Sequence, residues 1–122
     1  MDQMECLEAM VIGVSQEIND RVDAWESFAV AFDVDEDSNV GNSGFCWGEK
    51  RVPFAVDDNA VDEAVLAFRD LSRDREGNGW KAMLLQYVRS TRSVNTEFEF
   101  DNANRWRVTP KNMDTVLESM KP

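Results

Sequence analysis

The sequence contains no histidine at all. That removes Ser-His-Asp and Cys-His triads, histidine-based zinc sites, and the commonest general base near neutral pH. Cysteine is scarce: Cys6 and Cys46 stand alone, with no metal-binding or redox spacing between them. Both read as buried free thiols of a cytoplasmic protein. Cys46 would need a cation such as Lys50 to lower its pKa; flanked by Phe45 and Trp47, it reads instead as an apolar strand thiol. No apolar run approaches the ~18 residues of a membrane helix. The opening Met-Asp-Gln-Met-Glu-Cys6 is acidic and lacks the basic n-region of a signal peptide. The glycines at 41, 44, 48, 77 and 79 form no phosphate-cradling pattern. No internal repeat, linker or low-complexity segment is visible.

Negative charge dominates what is present. Asp and Glu number 24 against 13 Lys and Arg, for a formal net charge of −11. Residues 1 to 49 hold twelve acids and one base, Arg21, whereas residues 50 to 122 hold twelve of each. The whole imbalance therefore belongs to the first two-fifths of the chain. Such a surface repels nucleic acid and anionic membrane, and it speeds encounter with a basic partner. Solubility is its plainest use. A chain of 122 residues, 43% hydrophobic and 30% charged, fits one globular domain spanning residues 1 to 122.

Hydrophobic period divides the chain into elements. Met4, Leu7, Val11, Val14 and Ile18 recur at helical steps from residue 3 to about 21, with Gly13 inside at a cost of roughly 1 kcal/mol. From Trp25 the period becomes two: Phe28, Val30, Phe32 and Val34 share a core face. Residues 35 to 43 read as a loop, and Gly44 to Glu49 as a short second strand ended by Val52-Pro53. Asp57 or Asp58 caps a second helix carrying Val61, Ala64, Val65, Phe68 and Leu71, stopped by Gly77-Asn78-Gly79. Residues 80 to 100 form a hairpin about Ser90–Ser93. Its first arm is apolar on both faces, as in a doubly covered strand, and its second alternates Val94, Thr96, Phe98, Phe100 with Asn95, Glu97, Glu99, Asp101. The pattern leaves the hairpin's register open. Thr109-Pro110 then starts a last helix with Met113, Val116, Leu117 and Met120 on its stripe. The expectation is an α+β domain: an antiparallel four-stranded sheet covered by helices, in the order α-β-β-α-β-β-α.

Few groups suit chemistry. Asp33-Val-Asp35-Glu-Asp37 begins like a calcium loop, but Ser38 stands where glycine is required and Gly44 where the bidentate Glu belongs. A register from Asp35 fails too, with Val40 and Cys46 at those places. Glu97 and Glu99 share a strand face and read as solvated partners for Arg89 or Arg92. Trp106, between Arg105 and Arg107, is either a partly exposed interface anchor or a loop residue folded onto the last helix. No catalytic residue, metal or cofactor is expected.

Several phrases carry a family resemblance. They are the N-terminal helix running into Trp25-Glu-Ser-Phe-Ala-Val-Ala-Phe32, the acidic loop before Gly44-Phe-Cys-Trp47, Gly79-Trp80, and Glu97-Phe-Glu-Phe-Asp101 followed by Asn104-Arg105-Trp106. With the order of elements, these resemble the YezG-like family of bacterial immunity proteins. One departure is a short second strand with Cys46-Trp47 where the family tends toward tyrosine-rich sequence. The resemblance implies a cytoplasmic antidote that binds and blocks a cognate toxin domain, commonly a nuclease, as a contact-dependent growth-inhibition immunity protein does. The residues expected to meet a basic toxin are Asp33, Asp35, Glu36 and Asp37, supported by Asp20, Asp23 and Glu26, with Trp47 and Trp106 as anchors. Two other classes stay open: a small carboxylate-based metal-binding protein or enzyme, and an adaptor module with no toxin.

Overall fold

Strand β1 (Ser27–Val34) is the middle strand of the sheet in the computed structural model, which describes residues 1 to 122. Around it lie helix α1 (Gln3–Asn19), β2 (Val40–Trp47), β3 (Arg51–Phe54), α2 (Asn59–Leu71), β4 (Ala82–Val88), β5 (Ser93–Glu99) and α3 (Met113–Met120). The sheet is antiparallel throughout, in the order β3-β2-β1-β4-β5. The fold is thus α+β, with five strands where the sequence pattern shows four, in the order α-β-β-β-α-β-β-α. The added strand is β3: Pro53 reads as a stop, yet at a sheet edge its missing N–H costs nothing. Strand β2 also begins earlier, at Val40, because Gly41, Asn42 and Ser43 continue the ladder opposite Asp33, Phe32 and Ala31.

Two layers cover the sheet. On one face Phe28, Val30 and Phe32, all fully buried, pack with Met83 and Leu85 beneath α1 and α2. Helix α1 begins with a reciprocal cap: the Glu5 N–H donates to Asp2 Oδ1 at 2.8 Å, and the Asp2 N–H to Glu5 Oε1 at 3.3 Å. Its buried row is Cys6, Met10, Val14 and Ile18, while Met4 is exposed and Leu7 and Val11 only flank the core. Two apolar rows overlap on this helix, and period alone does not rank them. Helix α2, capped by Asp58, buries Val61, Ala64, Val65 and Phe68 and ends at Leu71, which is exposed. The hairpin register puts Met83 opposite Phe98, so Phe98 joins this layer and stacks on Trp80 at 6.0 Å.

The other face carries small residues on β1. Ala29 is fully buried beneath Trp106 and Met120, with Ala82 and Leu84 from β4. Alanine there leaves the depth of an indole between the sheet and α3. The last helix starts at Met113 rather than at Pro110, because Asn112 Oδ1 accepts the Thr109 N–H at 2.7 Å and holds residues 109–112 as a turn.

At Gly13 α1 lies close against α2: a Cβ there would lie 2.3 Å from Val61 Cγ2. In an isolated helix Gly13→Ala would stabilise by about 1 kcal/mol through propensity. Here overpacking reverses the sign, and the substitution is expected to destabilise by about 1–3 kcal/mol in urea unfolding. A stabilised Gly13→Ala protein would contradict this packing.

Candidate functional site

The acids of residues 33 to 37 sit at the tip of the β1–β2 hairpin, and Asp35 is what shapes that tip. The N–H groups of Asp37 and Asn39 donate to Asp35 Oδ1 at 2.9 Å each, and Asn39 Nδ2 donates to Oδ2 at 3.1 Å. Ser38 completes the turn with a φ of 62°. Residues 74 to 78 repeat the device. The Glu76 and Asn78 N–H groups donate to Asp74 Oδ1 at 2.9 and 2.8 Å, and Gly77 takes a φ of 84°. Asp-Glu-Asp-Ser-Asn39 and Asp-Arg-Glu-Gly-Asn78 are therefore one turn used twice, a local repeat hidden by sharing only its first and last residues. Chiefly through the backbone N–H of Asn39, the Asp35 carboxyl is held below its usual pKa; Asn78 does the same for Asp74.

Asp35 is exposed like Asp33, Glu36 and Asp37, but its carboxylate is already engaged by the turn's own N–H groups. Asp33 lies across the ladder, its carboxylate over Gly41, where a Cβ would meet Oδ1 at 2.4 Å. Beside it opens a cleft of about 520 Å³, bounded by Asp33, Asp35, Ser43, Asn104 and Arg107, with Trp106 at its wall. Trp106 itself is buried, 3% exposed, and stacks under the Arg105 guanidinium at 4.7 Å. It supports the cleft rather than projecting from it. Burying such a side chain is worth about 3–5 kcal/mol to the fold, judged by the usual cost of removing one.

The other expected residues lie elsewhere. Asp20, Asp23 and Glu26 precede β1 and are exposed at its opposite end, about 24 Å away along an eight-residue strand. Trp47 is opposite Ser27 at that same far end, half-buried against Phe45 at 6.4 Å. The acids there are interleaved with cations. Glu26 borders a second notch with Arg89 and Lys121, and Arg89 lies over Trp25 at 4.7 Å. Arg21 pairs with Glu17 at 3.1 Å. Nine residues expected as one surface thus fall into an acidic tip, a mixed-charge end and a buried indole. Position along β1 separates them, and it cannot be judged from a count of charges.

The pairing of Glu97 and Glu99 also differs from expectation. Arg105 bonds Glu97 and reaches Glu99 at 3.7 Å, while Arg89 is turned to Trp25. The Asp101 and Asn102 N–H groups, with Arg105, hold the Glu99 carboxyl below its ordinary pKa. Cys6 and Cys46 are both buried, and burial pushes each thiol up, away from the reactive thiolate. No three His, Cys, Asp or Glu side chains converge in an arrangement that would hold a metal ion. Sequence reasoning missed Ser43, Asn104 and Arg107, because only tertiary structure brings residues 103–107 against the hairpin. No helix is long and apolar enough to cross a membrane. No family model matches the sequence, and no curated protein matches it significantly.

The two braced turns set an acid dependence. A carboxyl with a depressed folded pKa stabilises fully above its ordinary value near 3.9, and that share disappears as pH falls through the lower folded value. In thermal unfolding from pH 7 to 2, Asp35→Ala with Asp74→Ala is expected to melt lower than the parent at pH 6. The gap should narrow as pH falls below the ordinary aspartate value near 3.9. Curves that stay parallel to the acid end would refute the bracing role.

Proposed function

We propose that this chain is a cytoplasmic immunity protein of the YezG-like kind, which neutralises a basic toxin domain, nuclease-type, by closing the acidic hairpin tip onto its cationic groove. The observation that carries the reading is the division of labour at residues 33 to 37. All four acids are exposed; the Asp35 carboxylate braces the turn, and those of Asp33, Glu36 and Asp37 stand on the braced loop. A braced loop loses little further freedom on binding, so less of its electrostatic gain is consumed by ordering.

A nuclease must carry cations for phosphate, and a fixed row of carboxylates competes for them without being a substrate. Asp33 at the cleft rim meets the basic side chains, and Arg107 across the cleft answers an acidic residue of the same partner, which favours one docking orientation. Asp20, Asp23 and Glu26, offset by Arg21, Arg89 and Lys121, contribute to long-range attraction. Trp47 serves only a partner large enough to reach the far end of the sheet. In this reading the chain performs no reaction, holds no cofactor and binds neither nucleic acid nor membrane.

The test is calorimetric titration with the toxin domain encoded beside this chain's gene, after co-expression shows that growth is rescued. Asp33→Lys, Glu36→Lys and Asp37→Lys together are expected to weaken binding by about 100-fold or more and to flatten its salt dependence. Reversing Asp20, Asp23 and Glu26 should slow association less than about tenfold and leave dissociation alone. Equal affinity for the hairpin variant, with the fold intact by circular dichroism, would rule out this face as the interface.

A further inference from the structure

The two edges of the sheet are built differently. Strand β3 is four residues long and contains Pro53, which has no N–H to offer a visitor. Strand β5 is seven residues long, without proline or lysine. Its free hydrogen-bonding groups follow from the ladder beside it. The Arg89 N–H donates to the Glu26 carbonyl at 2.9 Å and the Val34 N–H to the Lys81 carbonyl at 3.1 Å. Odd residues of β4 therefore bond β1, and even ones bond the residues opposite them, Ser93, Asn95, Glu97 and Glu99. The peptide groups of Val94, Thr96 and Phe98 are left facing outward, and Val94 is 42% exposed.

We propose that this edge pairs, antiparallel, with the β5 edge of a second copy of the chain, about a two-fold axis at Thr96, joining two sheets into one of ten strands. The strand is self-complementary about that residue. Val94 meets Phe98 of the second copy, Thr96 meets Thr96, Asn95 meets Glu97, and Ser93 meets Glu99. Every outward peptide group then belongs to a hydrogen-bonded pair. On the helix side the pairs are of the favourable kinds, aromatic on β-branched and threonine on threonine. On the other side no carboxylate stands directly opposite another, and Glu97 and Glu99 are already held by Arg105. Moving the axis to Glu97 would set Glu97 directly against its own copy, so charge excludes that register, while the Thr96 axis alone sets Val94 against Phe98. The same pairing brings the Arg92 end of one strand beside the Asp101 end of the other. Strand β5 also belongs to the half of the chain whose charges balance, so the excess of acids at residues 1 to 49 does not oppose the contact at short range.

A single strand pair is a small interface, so association belongs in the micromolar range. Sedimentation velocity of the full chain from about 5 to 500 µM should show the mass rising from 13.9 kDa toward twice that value. Val94→Lys places a charge against Phe98 of the second copy and should leave a folded monomer throughout. Thr96→Cys places two thiols about 5.5 Å apart by Cα, within disulfide reach, and should cross-link on mild oxidation. Val94→Cys, about 13 Å from its own copy, should not. A mass fixed at 13.9 kDa to the top of the range overturns the proposal. So does a dimer untouched by Val94→Lys, or one in which Val94→Cys cross-links and Thr96→Cys does not.

Discussion

Strand β1 is hydrogen-bonded along both edges and covered on both faces, and the remaining structure follows from what that imposes on eight residues. On one face large side chains, Phe28, Val30 and Phe32, fill the space under α1 and α2; on the other, Ala29 must be small enough for Trp106 to lie down. A strand so enclosed does not bend or slip, because a shift of one residue would put phenylalanines under α3 and alanines under two helices. What it carries at its ends is therefore held at fixed separation. The acidic turn at one end and the mixed-charge loops at the other are two places, not one.

Charge acts differently at those two places. At the far end, Glu26 borders a notch shared with Arg89 and Lys121, so the local field is largely cancelled within a Debye length of about 8–10 Å. At the hairpin tip Arg107 lies across the cleft, and the turn's own carboxylate, Asp35, accepts hydrogen bonds from its backbone. The tip is thus a place where several exposed carboxylates are carried on a braced turn. Fixed charges matter most for binding when ordering them again is unnecessary.

Local pattern carried much of this fold in readable form. The two-residue period of Phe28 to Val34, the doubly apolar arm from Ala82 to Leu85, and the alternation of Val94 to Phe100 all correspond to strands with the faces that alternation implies. Where reading from sequence fell short, the reason was competition between local and tertiary signals. Glycine, asparagine and serine at 41 to 43 look like loop, yet a neighbouring strand recruits them. Pro53 looks like a terminator and is tolerated at an edge. Leu71 and Met4 fit their helical stripes but overhang the core. The site was legible only in part. The acids of 33 to 37 were visible as a cluster, whereas the bracing role of Asp35 depends on a turn geometry that its twin at Asp74 makes recognisable only once both are seen folded. The burial of Trp106 followed from Ala29 and Leu84, more than twenty residues distant in sequence, and no local pattern reports that.

The central claim is that the braced acidic tip is the face a cationic partner closes upon. Hydrogen exchange of the full chain with and without the toxin domain, read by mass spectrometry, tests it most directly. The account predicts protection concentrated in residues 33 to 43 and 103 to 107, with residues 20 to 26 little changed. Protection confined to other segments, with the hairpin exchanging as in the free chain, would contradict it.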